Sequence, residues 1–202
     1  PAFHNSAITK MHDRRNAVDA ALTRYFGDGS LTLGSAYSHE SDYVSKAVTM
    51  QASISSEDRN TTWSAGVGLS VDSINPNNKI VQDQSKHVTD FLLGISQVLT
   101  PVDIVQLNLG MANATGYMSD PYKVFDNRPD RRSHTMTLRW NHHLDKFDAT
   151  SRFSYRYYGD DWSIKSHTFG LEYVQNFSDG WSVTPLLRLY SQSAAKFYID
   201  AG

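Results

Sequence analysis

The side chains in this sequence best able to move a proton are two adjacent pairs, Asp160-Asp161 and His142-His143. A carboxylate beside an imidazole can activate water, the equipment of a membrane-embedded hydrolase. That chemistry needs hydrogen-bond reach, and the strand pattern described below sets the pairs at opposite ends of one hairpin. They are expected not to meet. His142 and His143, adjacent in a strand, point to opposite faces and cannot easily share a metal ion. No serine stands in a context suited to a nucleophile with its base and orienting acid. The polar stretch from Asn75 to Gln84 lacks the ordered oxygens of a calcium loop, and cysteine is absent. No catalytic, cofactor-binding or metal-binding residue is assigned, and the chain is not read as an enzyme.

A second set of charges is spaced for a different task. Asp19, Asp72, Asp90, Arg139, Asp148, Arg152, Arg156, Glu172 and Arg188 alternate with apolar residues and share one face. From Asp90 onward these are the expected lining of a polar interior. Arg152, Arg156 and Arg188 would form a basic ladder that steers anions through a lumen. The competing expectation is a salt-bridge network in which the acids neutralise the arginines and stiffen a closed interior. A third set lies in the longest loop, from Tyr117 to Arg132, where Tyr122, Lys123, Phe125 and Arg128 are candidates for binding a partner. The composition of a solvated loop would look the same.

The elements that must position these residues are strands. Ser133 to Tyr158 alternates with a period of two: His134, Met136, Leu138, Trp140, His142 and Leu144 oppose Ser133, Thr135, Thr137, Arg139, Asn141 and His143. After Asp145-Lys146 the alternation resumes with Phe147, Ala149, Phe153, Tyr155 and Tyr157 against Asp148, Thr150, Arg152, Ser154 and Arg156. Side chains alternate across a strand, so this is a hairpin with one apolar and one charged face. The same pattern recurs along the chain and predicts about ten antiparallel strands, an all-β, up-and-down transmembrane barrel with lipid outside and water within. Pro185 removes a ladder donor from the last strand, where a bulge or local edge is expected. Every second connection is short, whereas the alternate set varies; short turns face the periplasm in bacterial barrels. That arrangement implies residues 1–12 as an irregular segment and 13–202 as a partial barrel, truncated at both ends. Two groups of aromatics, Phe26, Trp63, Phe147, Phe177 and Trp181 near the short turns and Tyr117, Tyr157, Tyr158 and Trp162 near the others, suit two membrane interfaces.

Composition agrees with this class. The 202 residues carry a net charge of −2 with no basic patch, which argues against nucleic acid as a partner. No run of about 18 apolar residues exists, so a transmembrane helix is excluded while a barrel is not.

The chain resembles the bacterial family catalogued as domain of unknown function 3570, predicted to be outer-membrane barrels. The resemblance rests on Ser38-His39-Glu40-Ser41-Asp42-Tyr43, Arg59 to Gly66, Asp120-Pro121-Tyr122-Lys123-Val124, Tyr155 to Trp162 and Ser191-Gln192-Ser193-Ala194-Ala195, which occur in family order. It implies the outer membrane of a Gram-negative bacterium and supplies no catalytic residues and no cofactor. The expected function is a channel or transport component with a charged lumen. The alternative is a closed structural or binding barrel that presents its loops. Expected partners are outer-membrane lipid and small solutes or a protein.

Overall fold

The computed structural model describes residues 14–123 and 126–197. The expected irregular segment 1–12 and the loop candidate Phe125 lie outside the described residues. Eleven strands form one antiparallel sheet: β1 (Asn16–Phe26), β2 (Gly29–His39), β3 (Tyr43–Ser55), β4 (Thr61–Ile74), β5 (Gln84–Thr100), β6 (Asp103–Gly116), β7 (Arg131–Leu144), β8 (Ala149–Asp160), β9 (Lys165–Asn176), β10 (Ser182–Val183) and β11 (Leu186–Gln192). Each strand pairs with the next in sequence as far as β10, and β11 pairs with β9. This is the up-and-down order that short hairpin connections enforce. The sheet is open: the described strands do not pair β1 with β11.

The count exceeds the expected ten because Pro185 divides the last strand. Val183 pairs with Gln175 and Leu186 with Glu172, so the register is the same on both sides of the proline. The ladder is therefore interrupted without the expected bulge. The Pro185 carbonyl still accepts from the Tyr173 N–H at 3.1 Å. A register shift does occur in β5, between Val98 and Thr100, where the strand enters its turn. Two further boundaries differ. Arg131 and Arg132 belong to β7 rather than to the preceding loop, and Trp162 lies in the turn before β9 rather than in the strand.

Pairing aligns the faces across the whole sheet. Leu93, Leu109 and Met136 fall on one cross-strand row, and Leu138, Tyr155 and Phe169 on another. Among the described residues nothing packs on this apolar face: Leu93 is 60 % exposed, Leu109 47 % and Leu189 59 %. Buried apolar side chains among the described residues are limited to Ile74, Ala149 and Trp162. A sheet of this size without a covering layer lacks the two-layer core of a water-soluble domain.

The polar face is concave, because residues as distant as Thr32 on β2 and Tyr158 on β8 line one cavity of about 530 Å³. Several small residues there make room for their neighbours. A Cβ on Gly110 would come within 2.6 Å of Thr135 Oγ1, and one on Gly170 within 2.6 Å of Ser154 Oγ. These glycines accommodate the hydroxyls of adjacent strands.

Gly116 ends β6 with φ of 103° and turns the chain into the 117–130 connection. Its N–H donates to Asp130 Oδ1 at 3.0 Å, at the other end of that connection. A Cβ at this position would collide with the Ser85 carbonyl oxygen on the neighbouring strand. Gly116→Ala is expected to cost about 1–3 kcal/mol through backbone strain, read as a lower urea midpoint. An unchanged midpoint would mean that the backbone relaxes freely.

Candidate functional site

The charged residues predicted to share a face do so, with one exception. Asp90, Arg139, Arg152, Arg156, Glu172 and Arg188 stand on the polar face of β5, β7, β8, β9 and β11, set there by the ladder. Arg139 pairs with Ser154, Ser154 with Gly170 and Gly170 with Arg188, so the two arginines occupy one cross-strand row. Asp148 departs from the expectation. It caps the 3₁₀ turn Asp145–Phe147 in a left-handed conformation (φ 46°, ψ 47°), which aspartate tolerates better than most residues. It therefore belongs to the turn and not to the wall.

The predicted salt-bridge network is sparse. Arg152 Nη1 lies 3.5 Å from Glu172 Oε2 with both side chains substantially exposed. Ion pairs among the described residues do not include Arg139, Arg156 or Arg188. Arg156 and Arg188 line a cavity of about 620 Å³ together with Arg131, Tyr158 and Tyr190. On β1 and β5 the same face carries the carboxylates Asp19 and Asp90, without ion-pair partners among the described residues, while Asp72 is paired with Lys86 at 2.9 Å. The polar face thus has a basic wall on β7–β11 and a more acidic one on β1–β5.

The 117–130 connection folds across this face instead of projecting from the rim. Tyr122 Oη donates to Asp42 Oδ2 at 2.6 Å, reaching the β2–β3 connection, and Asn78 Nδ2 donates to the Pro121 carbonyl at 2.9 Å. Of the binding candidates, Tyr122 is thereby drawn over the concavity. Lys123 lies 3.6 Å from Asp120, and Arg128 Nε donates to Asp126 Oδ1 at 2.9 Å. Burial raises the Asp126 carboxyl, but the Asp120 N–H and the Arg128 guanidinium outweigh it and hold the group below the usual carboxylate range. Beneath the loop is a cavity of about 750 Å³, lined by groups from β1 to β7 that include Asp19, Tyr43, Lys86 and Arg131.

The base of the loop is fixed by residues whose role the sequence pattern did not indicate. Asp160, at the loop end of β8, has its side chain closed to solvent. It accepts from Arg131 Nε at 2.8 Å and Nη2 at 2.6 Å, from Tyr158 Oη at 2.8 Å, and from the N–H groups of Trp162 and Ile164. Trp162 is 5 % exposed, with the Arg131 guanidinium 4.4 Å from its ring centroid. Its Nε1 donates to the carbonyls of Pro129 and Asp130 at 3.2 and 3.3 Å. Trp162 and Tyr158, expected at a membrane interface, serve this clasp instead; Tyr158 is on the polar face. The one legible signal was the Asp160-Asp161-Trp162 turn opposite the arginines at 131 and 132.

The two pairs singled out for proton transfer are not brought together. His142 pairs with Ser151, nine residues along β8 from Asp160, roughly 30 Å at about 3.3 Å per residue. His142 Nδ1 is bonded to Asp103 Oδ1 at 2.8 Å and His143 Nδ1 to Thr150 Oγ1 at 3.2 Å. Among the described residues no group of three or more His, Cys, Asp or Glu could hold a metal ion.

The model of the family described as "Protein of unknown function (DUF3570)" matches residues 4–84 and 77–201. No curated protein and no solved structure matches the chain.

Asp160→Ala should release the loop at neutral pH, at a cost of about 1.5–3 kcal/mol for the charged hydrogen bonds. Hydrogen exchange at 117–123 and 126–130, corrected for intrinsic rates, should be faster in the variant at pH 7. Equal protection at pH 7 would show that the clasp does not hold the loop.

Proposed function

This chain belongs to the family described as protein of unknown function (DUF3570), and we propose that it is a bacterial outer-membrane β-barrel protein whose polar lumen admits small solutes. The observation that carries the reading is the apolar face. It runs from Val18 and Leu22 on β1 to Leu187 and Leu189 on β11, and no layer among the described residues covers it. In water that area would be a large unfavourable surface; in lipid it is matched to its solvent. Closure joins the free edges of β1 and β11, directly or through further strands, and turns the concave polar face into a lumen.

Sidedness follows from the connections. Those on one side are tight, whereas those on the other include 75–83 and 117–130, the pattern of periplasmic turns and extracellular loops. Arg139, Arg156 and Arg188 make no ion pair among the described residues and face the lumen, so they favour anions there. A second reading is supported by the Tyr122–Asp42 and Arg131–Asp160 contacts, which hold the loop across the opening. In that reading the barrel is closed and structural, and the loop is its plug.

Conductance across a planar bilayer separates the two. Discrete steps with an anion preference are expected. The triple substitution Arg139→Gln, Arg156→Gln, Arg188→Gln should lower the anion-to-cation permeability ratio severalfold without loss of folding. A folded protein with no steps would favour the plugged barrel. The membrane assignment has its own test, because an arginine near the bilayer midplane costs about 2–4 kcal/mol. Leu109→Arg should lose that much folding stability in vesicles, and a neutral result would sink the lipid-facing assignment.

A further inference from the structure

The two rims of the apolar face differ in charge. Near the long loops it carries Lys46, Arg132 and Lys165, with His39, His87 and His134 between them, each among the four strand residues next to that end. All six are exposed. Pairing keeps them on the apolar face: Lys46 lies opposite Val71, His87 opposite Val71 from the other side, His134 opposite Met111, and Lys165 opposite Gly159 beside His134. No Asp or Glu occupies that face within those four-residue ends; Asp19, Asp72 and Asp160 all point to the polar side. The short-turn rim is different. There Arg24 is the apolar-face cation, and the carboxylate Asp103 stands on the same face, bonded to Trp140 and His142.

None of the three cations makes an ion pair among the described residues. Lysine and arginine at the edge of an apolar band lay their stems along it and lift their charge to the interface. The aromatic and imidazole rings beside them are the amphipathic groups that sit at headgroup level. His134 and Tyr157 are 5.7 Å apart between ring centroids, and Tyr155 Oη is 2.8 Å from His167 Nδ1. Asp161, one residue beyond β8, donates its N–H to the Arg132 carbonyl at 3.1 Å and is an acid at this rim, outside the strand ends. Cations without ion pairs among the described residues, continuous with a lipid-facing band, are complementary to an anionic headgroup and not to a zwitterionic one.

We propose that the long-loop rim of the apolar face is a belt that binds phosphate-bearing anionic lipid headgroups. The inference rests on the membrane reading above and adds to it a leaflet and a lipid class.

The experiment folds the whole chain into zwitterionic detergent micelles and titrates it with phosphatidylglycerol or phosphatidylcholine, counting retained lipids by native mass spectrometry. Phosphatidylglycerol should be preferred, and each cation replaced in Lys46→Gln, Arg132→Gln, Lys165→Gln should lower the preference about fivefold, from roughly 1 kcal/mol per cation. The charge-retaining exchange Lys46→Arg, Arg132→Lys, Lys165→Arg should keep it, as should Arg24→Gln at the opposite rim. Equal retention of both lipids, or a triple Gln variant that keeps the preference, would overturn the belt while leaving the barrel standing. Failure of the chain to fold in micelles or retain any lipid would overturn the membrane reading, and the belt with it.

Discussion

Backbone pairing is the constraint on which everything else in this structure depends. With few apolar side chains buried, side-chain packing cannot be the main source of order. The ladders from β1 to β11 carry it, and they run almost without a register shift. In water each such hydrogen bond contributes modestly, because the unfolded chain bonds to solvent instead. In hydrocarbon an unmade bond costs several kcal/mol, so a paired sheet is strongly favoured over any frayed alternative. The ladder also enforces the separation of faces. A one-residue slip of β8 against β7 would carry Arg152 and Arg156 onto the apolar side and Phe153 and Tyr155 onto the polar one. Register and function are therefore the same choice.

On the polar face, charges divide into those already satisfied and those held ready. Arg131 is spent on Asp160 and Lys86 on Asp72, both within hydrogen-bond distance and both at the loop end. These pairs anchor connections. Arg139, Arg156 and Arg188 lie further along their strands and have no such partner among the described residues. Unpaired guanidinium groups in a partly enclosed polar space raise the local concentration of anions, and that effect weakens as salt shortens the Debye length. Of the acids on the same face of β8 and β9, Glu172 takes Arg152 at the edge of ion-pair distance and Asp160 is committed to the clasp.

The fold was largely legible because a period of two needs no tertiary information. Alternation at Thr61–Val71 or Ser133–Tyr158 names the strand, its two faces and the short turn that follows. Faces assigned this way placed Arg139, Arg152, Arg156 and Arg188 together correctly. Legibility failed where side chains obey contacts distant in sequence. Asp148 continued the alternation on paper, but the turn at Asp145–Phe147 removes it from the wall. Trp162 has the composition of an interface residue, yet it is buried under carbonyls of Pro129 and Asp130. The inward fold of the 117–130 loop depends on Tyr122 meeting Asp42, a pairing across 80 positions that no local pattern encodes.

The free edges of the sheet carry the last constraint. Strands β1 and β11 are exposed along their whole length, and each presents one unpaired row of backbone groups. Soluble sheets protect such edges with bulges, prolines or inward charges. On β1 there is neither bulge nor proline and Asp19 stands on the polar face: Val18, Ala20 and Leu22 carry the apolar band to the edge, and pairing with β2 is regular throughout. On β11 Leu187 and Leu189 do the same, and Pro185 lies before the strand rather than within it. An apolar band that keeps its position to both edges would promote edge-to-edge association in water. It is also what a closed wall requires, since a seam must join faces of like character. The same residues that make the open sheet unsuited to water make its edges suited to closure.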